Sequence, residues 1–194
     1  MSELKTEINH YTNEYYTNNR KGVFFKKLQK IDLAKNISNQ FDLKTLITHS
    51  VYIIPNTNSI FLDYTILKLY MNADNYNSLI DYFLFLIDDI IKKYKTYNIH
   101  INLDTFTISA AERYKPILEL YNKKCLDLSV NKSINELYTT LIDNLYIYNT
   151  PTIIDTIINL FKSFITYDII TKIHYETKQT SPQLLEKLLE QKHI

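Results

Sequence analysis

The sequence predicts an α/β fold with helices packed on a mostly parallel sheet. Three observations predict it. Period-two runs of β-favouring residues recur at Val51–Ile54, Asn98–Leu103 and Leu145–Tyr148. Helix-periodic stretches long enough to cross back over a sheet separate them. The chain has 194 residues, enough for one domain with a substantial core.

Met1–Lys44 is helical in character and rich in charge and tyrosine, and Gly22 reads as a turn dividing it. Arg20, Lys21, Lys26, Lys27 and Lys30 cluster beside Phe24 and Phe25. Such a cluster either meets anionic lipid head groups or is a solvated helix face with two phenylalanines docked inward, and charge runs usually only solvate. From Ser50 the period changes to two. Val51–Ile54 reads as a strand, 55–59 as a turn, and Ile60–Tyr70 as a second strand long enough to bend. Asp74–Tyr94 is then an amphipathic helix with Leu79, Phe83, Leu86, Ile87, Ile90 and Tyr94 on one face. Asp74 suits its cap, and Lys92, Lys93 and Lys95 suit its negative end.

In the strand Asn98–Leu103, Ile99, Ile101 and Leu103 alternate with polar residues. Ser109 and Glu112 have capping-box spacing, and Pro116 either kinks the helix they open or starts it. Tyr114, Ile117, Leu118 and Tyr121 form its stripe. A short helix, Ser133–Asp143, leads to the strand Leu145–Tyr148, where Leu145 and Ile147 share one face and Tyr146 and Tyr148 the other. Thr150 suits a cap and Pro151 a first helical position. The helix that follows, Thr152–Ile165, is unusually apolar. Ile154, Ile157, Ile158, Phe161 and Ile165 make its stripe, and Ile153, Leu160 and Phe164 widen it until only Asp155, Asn159 and Lys162 mark a polar edge. Such a helix must be covered on most sides, by protein or by something else. A strand at Ile169–Tyr175 returns to the core. Ser181 and Pro182 open a last helix with Leu184, Leu185, Leu188 and Leu189 inward.

Composition and residue spacing bear on several functions. With 22 basic and 21 acidic residues the net charge is +1, so no strong field draws the chain to nucleic acid, although 17 tyrosines supply stacking surface. Gly22 is the only glycine, which excludes glycine-rich phosphate loops. Cys125 is the lone cysteine; it points to a reducing compartment, and the expected location is cytoplasmic. Met1–Asn19 is polar throughout, and Leu79–Ile91 is too short and too acidic to span a bilayer. His10, His49, His100, His174 and His193 lack metal-ligand spacing; His100 and His174 lie on strands that neighbour each other in one reading, and a structural histidine outweighs a ligand there. Asp88 and Asp89 diverge by about 100° on a helix, and Ser109, Ser129, Ser133 and Ser181 sit in capping or loop contexts. The expectation is no enzyme, no metal and no cofactor. Abundant Asn, Ile, Lys and Tyr suggest an A/T-rich genome.

Tyr138, the run Tyr146-Ile147-Tyr148-Asn149-Thr150-Pro151, then Lys162-Ser163-Phe164-Ile165 and Thr171-Lys172-Ile173 follow one another without a gap. In that order and spacing they resemble the CRAL-TRIO lipid-binding family, whose pattern is a tyrosine, "YIINAP", an apolar helix ending "KPFL", and a strand beginning "SKI". The stretch INLDTFTISAAERYKPIL resembles the family's central strand and following helix, with Asn102 where an aspartate is frequent and Thr105 where a glycine is frequent. The family's closing "LP…GG" segment has no counterpart before Ile194. The resemblance implies a helical segment at 1–44, a lipid-binding domain at 45–194, and an apolar gate helix over a lipid cavity. Lys172 aligns with a lysine that contacts the inositol phosphate head group in some members. The acidic companion of that lysine aligns with Thr140, and the small hydroxyl residues used for choline lipids align with Tyr97 and Ile99.

The expected site is therefore a hydrophobic pocket under the gate helix. Ile154, Ile158, Phe161 and Ile165 form its lid, Tyr97, Ile99, Tyr146 and Tyr148 its walls, and Lys172 either meets a head group or braces its strand. The expected ligand is a lipid or other hydrophobic small molecule exchanged at a membrane surface, with no nucleic-acid partner. The alternative is the same fold with a filled pocket, acting as a protein-interaction or structural module of an A/T-rich virus or protist; Tyr97, Ile99 and the missing tail favour it, and the broad apolar helix favours the first reading.

Overall fold

Five strands form one sheet in sequence order: β1 (Val51–Ile53), β2 (Ser59–Asp63), β3 (Tyr97–Asn102), β4 (Ile142–Tyr148) and β5 (Ile173–Tyr175). β1 and β2 make an antiparallel hairpin, and every later pairing is parallel. The computed structural model describes residues 3–19, 26–128 and 138–190, side chains at 26, 27 and 126–128 apart. Parallel neighbours need crossovers, which the helices supply: α4 (Tyr64–Tyr70) and α5 (Tyr76–Tyr94) before β3, α6 (Ile108–Leu128) before β4, and α7 (Ile154–Phe161) with α8 (Tyr167–Ile170) before β5. Ahead of the sheet lie α1 (Glu3–Asn18), α2 (Lys26–Gln40) and α3 (Leu43–Ser50); α9 (Ser181–Glu190) follows it.

Register sorts the two faces. Ile99, Leu145 and Ile173 align on one side, and Phe61, His100, Tyr146 and His174 align on the other. The second row continues to Tyr52 on β1, so an aromatic file crosses all five strands. His100 stacks on Tyr146 at 4.7 Å and Tyr146 on His174 at 4.9 Å. The expected meeting of His100 and His174 does not occur, because β4 lies between their strands.

Several helices start where a side chain satisfies their first amides. Asp42 accepts from Thr45 N at 2.7 Å and opens α3. Asp63 accepts from Thr65 N at 2.9 Å, which ends β2 and corrects the expected strand Ile60–Tyr70. Ile66, Leu67 and Tyr70 then bury one helical face. Asn72, not Asp74, begins the turn into α5: its side chain accepts from Asp74 N, and Asn75 Oδ1 accepts from Asn72 N. Asp74 instead pairs with Lys35 at 2.8 Å. Thr107 caps α6 through Ala110 N at 3.3 Å, displacing the expected Ser109 box, and α6 runs on through Pro116.

After β4 the expected helix Thr152–Ile165 shortens. Thr150 Oγ1 donates to Ile147 O instead of capping, and helical geometry begins at Ile154. The expected strand from Ile169 is replaced by α8, leaving β5 three residues long. Thr177 Oγ1, not Ser181, accepts the amides entering α9. Leu184 is exposed and Leu185, Leu188 and Leu189 are only half-buried, so that stripe is less inward than its spacing predicts. The Gly22 turn, Arg20, Lys21, the side chains of Lys26 and Lys27, and most of the expected helix Ser133–Asp143 lie outside the described residues; 138–140 are helical.

One core runs through these layers. Ile8, Leu33 and Ile37 from α1 and α2 join Leu46, Ile87 and Ile90 in it. Four non-glycine residues take positive φ: Asn56, Lys95, Thr105 and Asn149. Thr105 has φ 64°, a conformation that a β-branched side chain disfavours and a glycine adopts freely.

Candidate functional site

The aliphatic face of the sheet is the floor of a cavity of about 350 Å³. Leu62, Ile99, Ile101, Leu145 and Ile147 supply the floor, because strand alternation sends them all to one side. Leu79, Ile80 and Phe83 of α5 form one wall, and Ile117, Leu118 and Tyr121 of α6 form another. The roof is Ile154, Ile157, Ile158 and Phe161 of α7, continued by Phe164 and Ile165.

The roof is held mainly from below. Ile157 is buried at 3 % exposure, Ile154, Ile158 and Phe161 are half-buried, and Ile153 is 37 % exposed. The chain itself covers the inner stripe of this helix and leaves its flank open. α7 packs against α6, and Lys115 of α6 places its ammonium 5.7 Å from the Phe164 ring centroid, a cation–π contact at the end of the roof.

The expected site residues divide into two groups. Tyr97, Ile99, Ile154, Ile158, Phe161 and Ile165 line the cavity. Tyr146 and Tyr148, expected in its wall, project from the opposite face, where both stack on His100. Their places in the wall are taken by Leu145 and Ile147. Lys172 is not among the lining residues; its ammonium donates to Ile142 O at 2.5 Å and Thr140 O at 3.4 Å, tying the approach to β5 onto the start of β4. The sequence placed Ile157 in the roof stripe and Ile117, Leu118 and Tyr121 in the stripe of α6 but assigned none of them to the site, where all four line the cavity.

Polar atoms gather at one end, where β3 and β4 begin. Tyr97 is fully buried and its hydroxyl donates to Tyr138 O at 2.9 Å. Tyr138 in turn donates to Asp88 Oδ1 at 2.7 Å, so β3, α5 and the approach to β4 are bolted together. Tyr121, Asn122 and Thr139 border the same end. Burial holds the phenols of Tyr97 and Tyr121 well above their ordinary pKa, so both stay protonated and neutral. On the far face, burial lowers His100 to about 4, and its Nδ1 lies 2.9 Å from Tyr148 Oη.

An aliphatic hollow between a parallel sheet and a one-sided helical roof defines a domain that takes up hydrophobic small molecules. The chain matches the family model of the CRAL/TRIO domain over residues 9–194 and belongs to the CRAL-TRIO family of hydrophobic-ligand-binding domains. The match begins within α1. No curated protein matches the chain at a significant level. Among the described residues no helix is long and apolar enough to cross a membrane.

Proposed function

We propose that the protein is a non-enzymatic carrier that holds a lipid in the cavity beneath α7 and exchanges it at a membrane surface, in the cytoplasm. The observation that carries this reading is the 350 Å³ hollow itself. Each methylene taken from water into such a space contributes about 0.8 kcal/mol, so an aliphatic lining retains a chain without any reactive group. Specificity then falls to the few polar atoms near Tyr121.

The roof suits exchange. Ile108, Ile153 and Tyr167 are 36 %, 37 % and 78 % exposed, and they lie at the start of α6 and at the two approaches to the roof. A roof held by one inner stripe opens at low cost when lipid replaces the contacts it loses. The filled-pocket module is disfavoured because Tyr97, the bulkiest departure from the choline-lipid pattern, closes one end of the space and leaves the rest open. Native mass spectrometry of the purified protein tests the reading: a bound hydrophobic molecule is expected, and a bare mass that stays bare after incubation with liposomes would contradict it.

A further inference from the structure

We infer that a second binding site lies on the reverse side of α6 and takes an organic monocarboxylate, with its apolar body in a groove against α2 and its carboxylate on Arg113. None of the residues lining this groove also lines the cavity under α7, so the site is independent of the carrier reading.

Helical spacing separates the two sites. Ile117, Leu118 and Tyr121 of α6 face the cavity, whereas Arg113, Pro116, Leu120 and Lys123 follow one another in steps of three and four along the opposite side. There they border a hollow of about 560 Å³, within the size range of small-molecule sites. Ile31 of α2 and the buried residues Met71 and Tyr76 complete its apolar surface.

Arg113 is the group that packing does not account for. Arginine is seldom withdrawn from water without a paired acid. Arg113 is half-buried, yet among the described residues it makes no ion pair, and its Nε is buried without a hydrogen-bond partner. Its neighbours are neutral. The guanidinium carbon lies 4.7 Å from the Tyr114 ring centroid, and the Tyr64 hydroxyl is within hydrogen-bonding reach of the guanidinium. Burial raises the phenols of Tyr16 and Tyr76, and the same charge opposes that rise. A cation set among phenols and aliphatic carbon lacks a counter-ion. One carboxylate supplies it, in the planar two-oxygen form that a guanidinium matches.

Charge along the groove limits the anion. Lys123 lies about 15 Å further along α6 at 1.5 Å per residue. Glu119 lines the groove on the same stretch, so these two exposed charges offset each other, and neither pairs with Arg113. One positive charge is left at the Arg113 end. A monocarboxylate neutralises it, whereas a phosphate monoester carries about two negative charges at neutral pH and exceeds it. The rest of the ligand lies against Ile31, Pro116 and Leu120, where its removal from water adds to the affinity.

The test titrates the full chain at neutral pH with 1-naphthoate and, separately, with uncharged 1-naphthamide, each to millimolar concentration. Dissociation constants are read from the backbone amide shifts of Ile31, Ala73 and Leu120, which border the groove and not the cavity under α7. Naphthoate is expected to bind at least tenfold more tightly than naphthamide. Arg113→Gln is expected to weaken naphthoate at least tenfold and naphthamide no more than twofold, with uptake of dodecane under α7 within twofold of the parent. Absence of naphthoate binding, equal binding of the two probes, or unchanged naphthoate binding by Arg113→Gln overturns the site. If that variant does not fold, Ala73→Phe decides: Ala73 lines the groove and is exposed, so a ring there fills the space without disturbing the core. It is expected to weaken naphthoate at least tenfold, and unchanged binding overturns the site. Failure of the parent to take up dodecane, with naphthoate still bound through Arg113, overturns the carrier reading alone.

Discussion

Ser181 Oγ accepts a hydrogen bond from Asn149 N at 2.7 Å and donates to Thr177 O at 2.6 Å. One buried hydroxyl therefore joins α9 to the residue from which the chain leaves β4 toward its roof. Asn149 has φ 53°, and its side chain donates to Asn102 Oδ1 at 2.8 Å, while Asn102 donates to Asp63 at 3.2 Å. This network spans the C-terminal ends of β2, β3 and β4 and fixes where the roof departs.

Ser181→Ala removes both bonds and leaves the partly buried Asn149 amide without its hydroxyl partner. The expected loss is about 1–3 kcal/mol of unfolding free energy, read from urea denaturation. A change under 0.3 kcal/mol would mean that water replaces the hydroxyl.

His100 makes stability depend on pH. Burial lowers its pKa from 6.5 to about 4. Between those values the unfolded chain binds a proton that the native chain refuses, so stability falls as pH drops through the window. The loss approaches about 3 kcal/mol at its lower end, and nothing from this group is expected above pH 7. His100→Gln, which retains a polar partner for Tyr148, should flatten the slope between pH 6.5 and 4. An unaltered slope would place the acid sensitivity elsewhere.

How much of this was legible beforehand differs by type of feature. Alternation in β3 and β4 was readable, and it already put Leu145 and Ile147 opposite Tyr146 and Tyr148; assigning the tyrosines to the wall went against that pattern, and the sheet follows the pattern. The segment after Asp63 was ambiguous because Tyr64–Tyr70 mixes β-branched and aromatic residues in a run short enough for either element, and the cap on Thr65 N settled it. The partners of Lys172 were not legible at all, since main-chain carbonyls 30 and 32 residues away leave no mark in side-chain identity. Nor was the cavity. The apolar roof was visible as a stripe, but whether neighbouring side chains fill the space beneath it depends on packing across four elements that are distant in sequence.

Phe161 contributes its ring to the roof and is half-buried. Phe161→Asp places a carboxylate over the aliphatic floor, where none of the described lining residues is a cation. Uptake of a hydrophobic probe should fall at least tenfold. The far-ultraviolet circular dichroism should stay near that of the parent, because the roof is a short helix outside the main core. Retained uptake with a retained fold would move the binding site away from α7.

The cation–π contact between Lys115 and Phe164 sits where the roof meets α6, and it predicts a kinetic effect more than a thermodynamic one. Contacts of this kind at exposed sites contribute about 0.5–1 kcal/mol, too little to govern global stability. If the roof opens at that end, the contact is broken in the open state and present in the closed one, so its whole contribution falls on the opening step. Lys115→Gln keeps the length and polarity of the side chain while removing the charge. Probe release from the variant should then be about two- to fivefold faster, with the urea midpoint unchanged and equilibrium affinity reduced by no more than the same factor. High salt should speed release from the parent and have less effect on the variant, since only the parent has a charge to screen. Equal release rates in low salt would show that the roof opens from its other end, at Asn149.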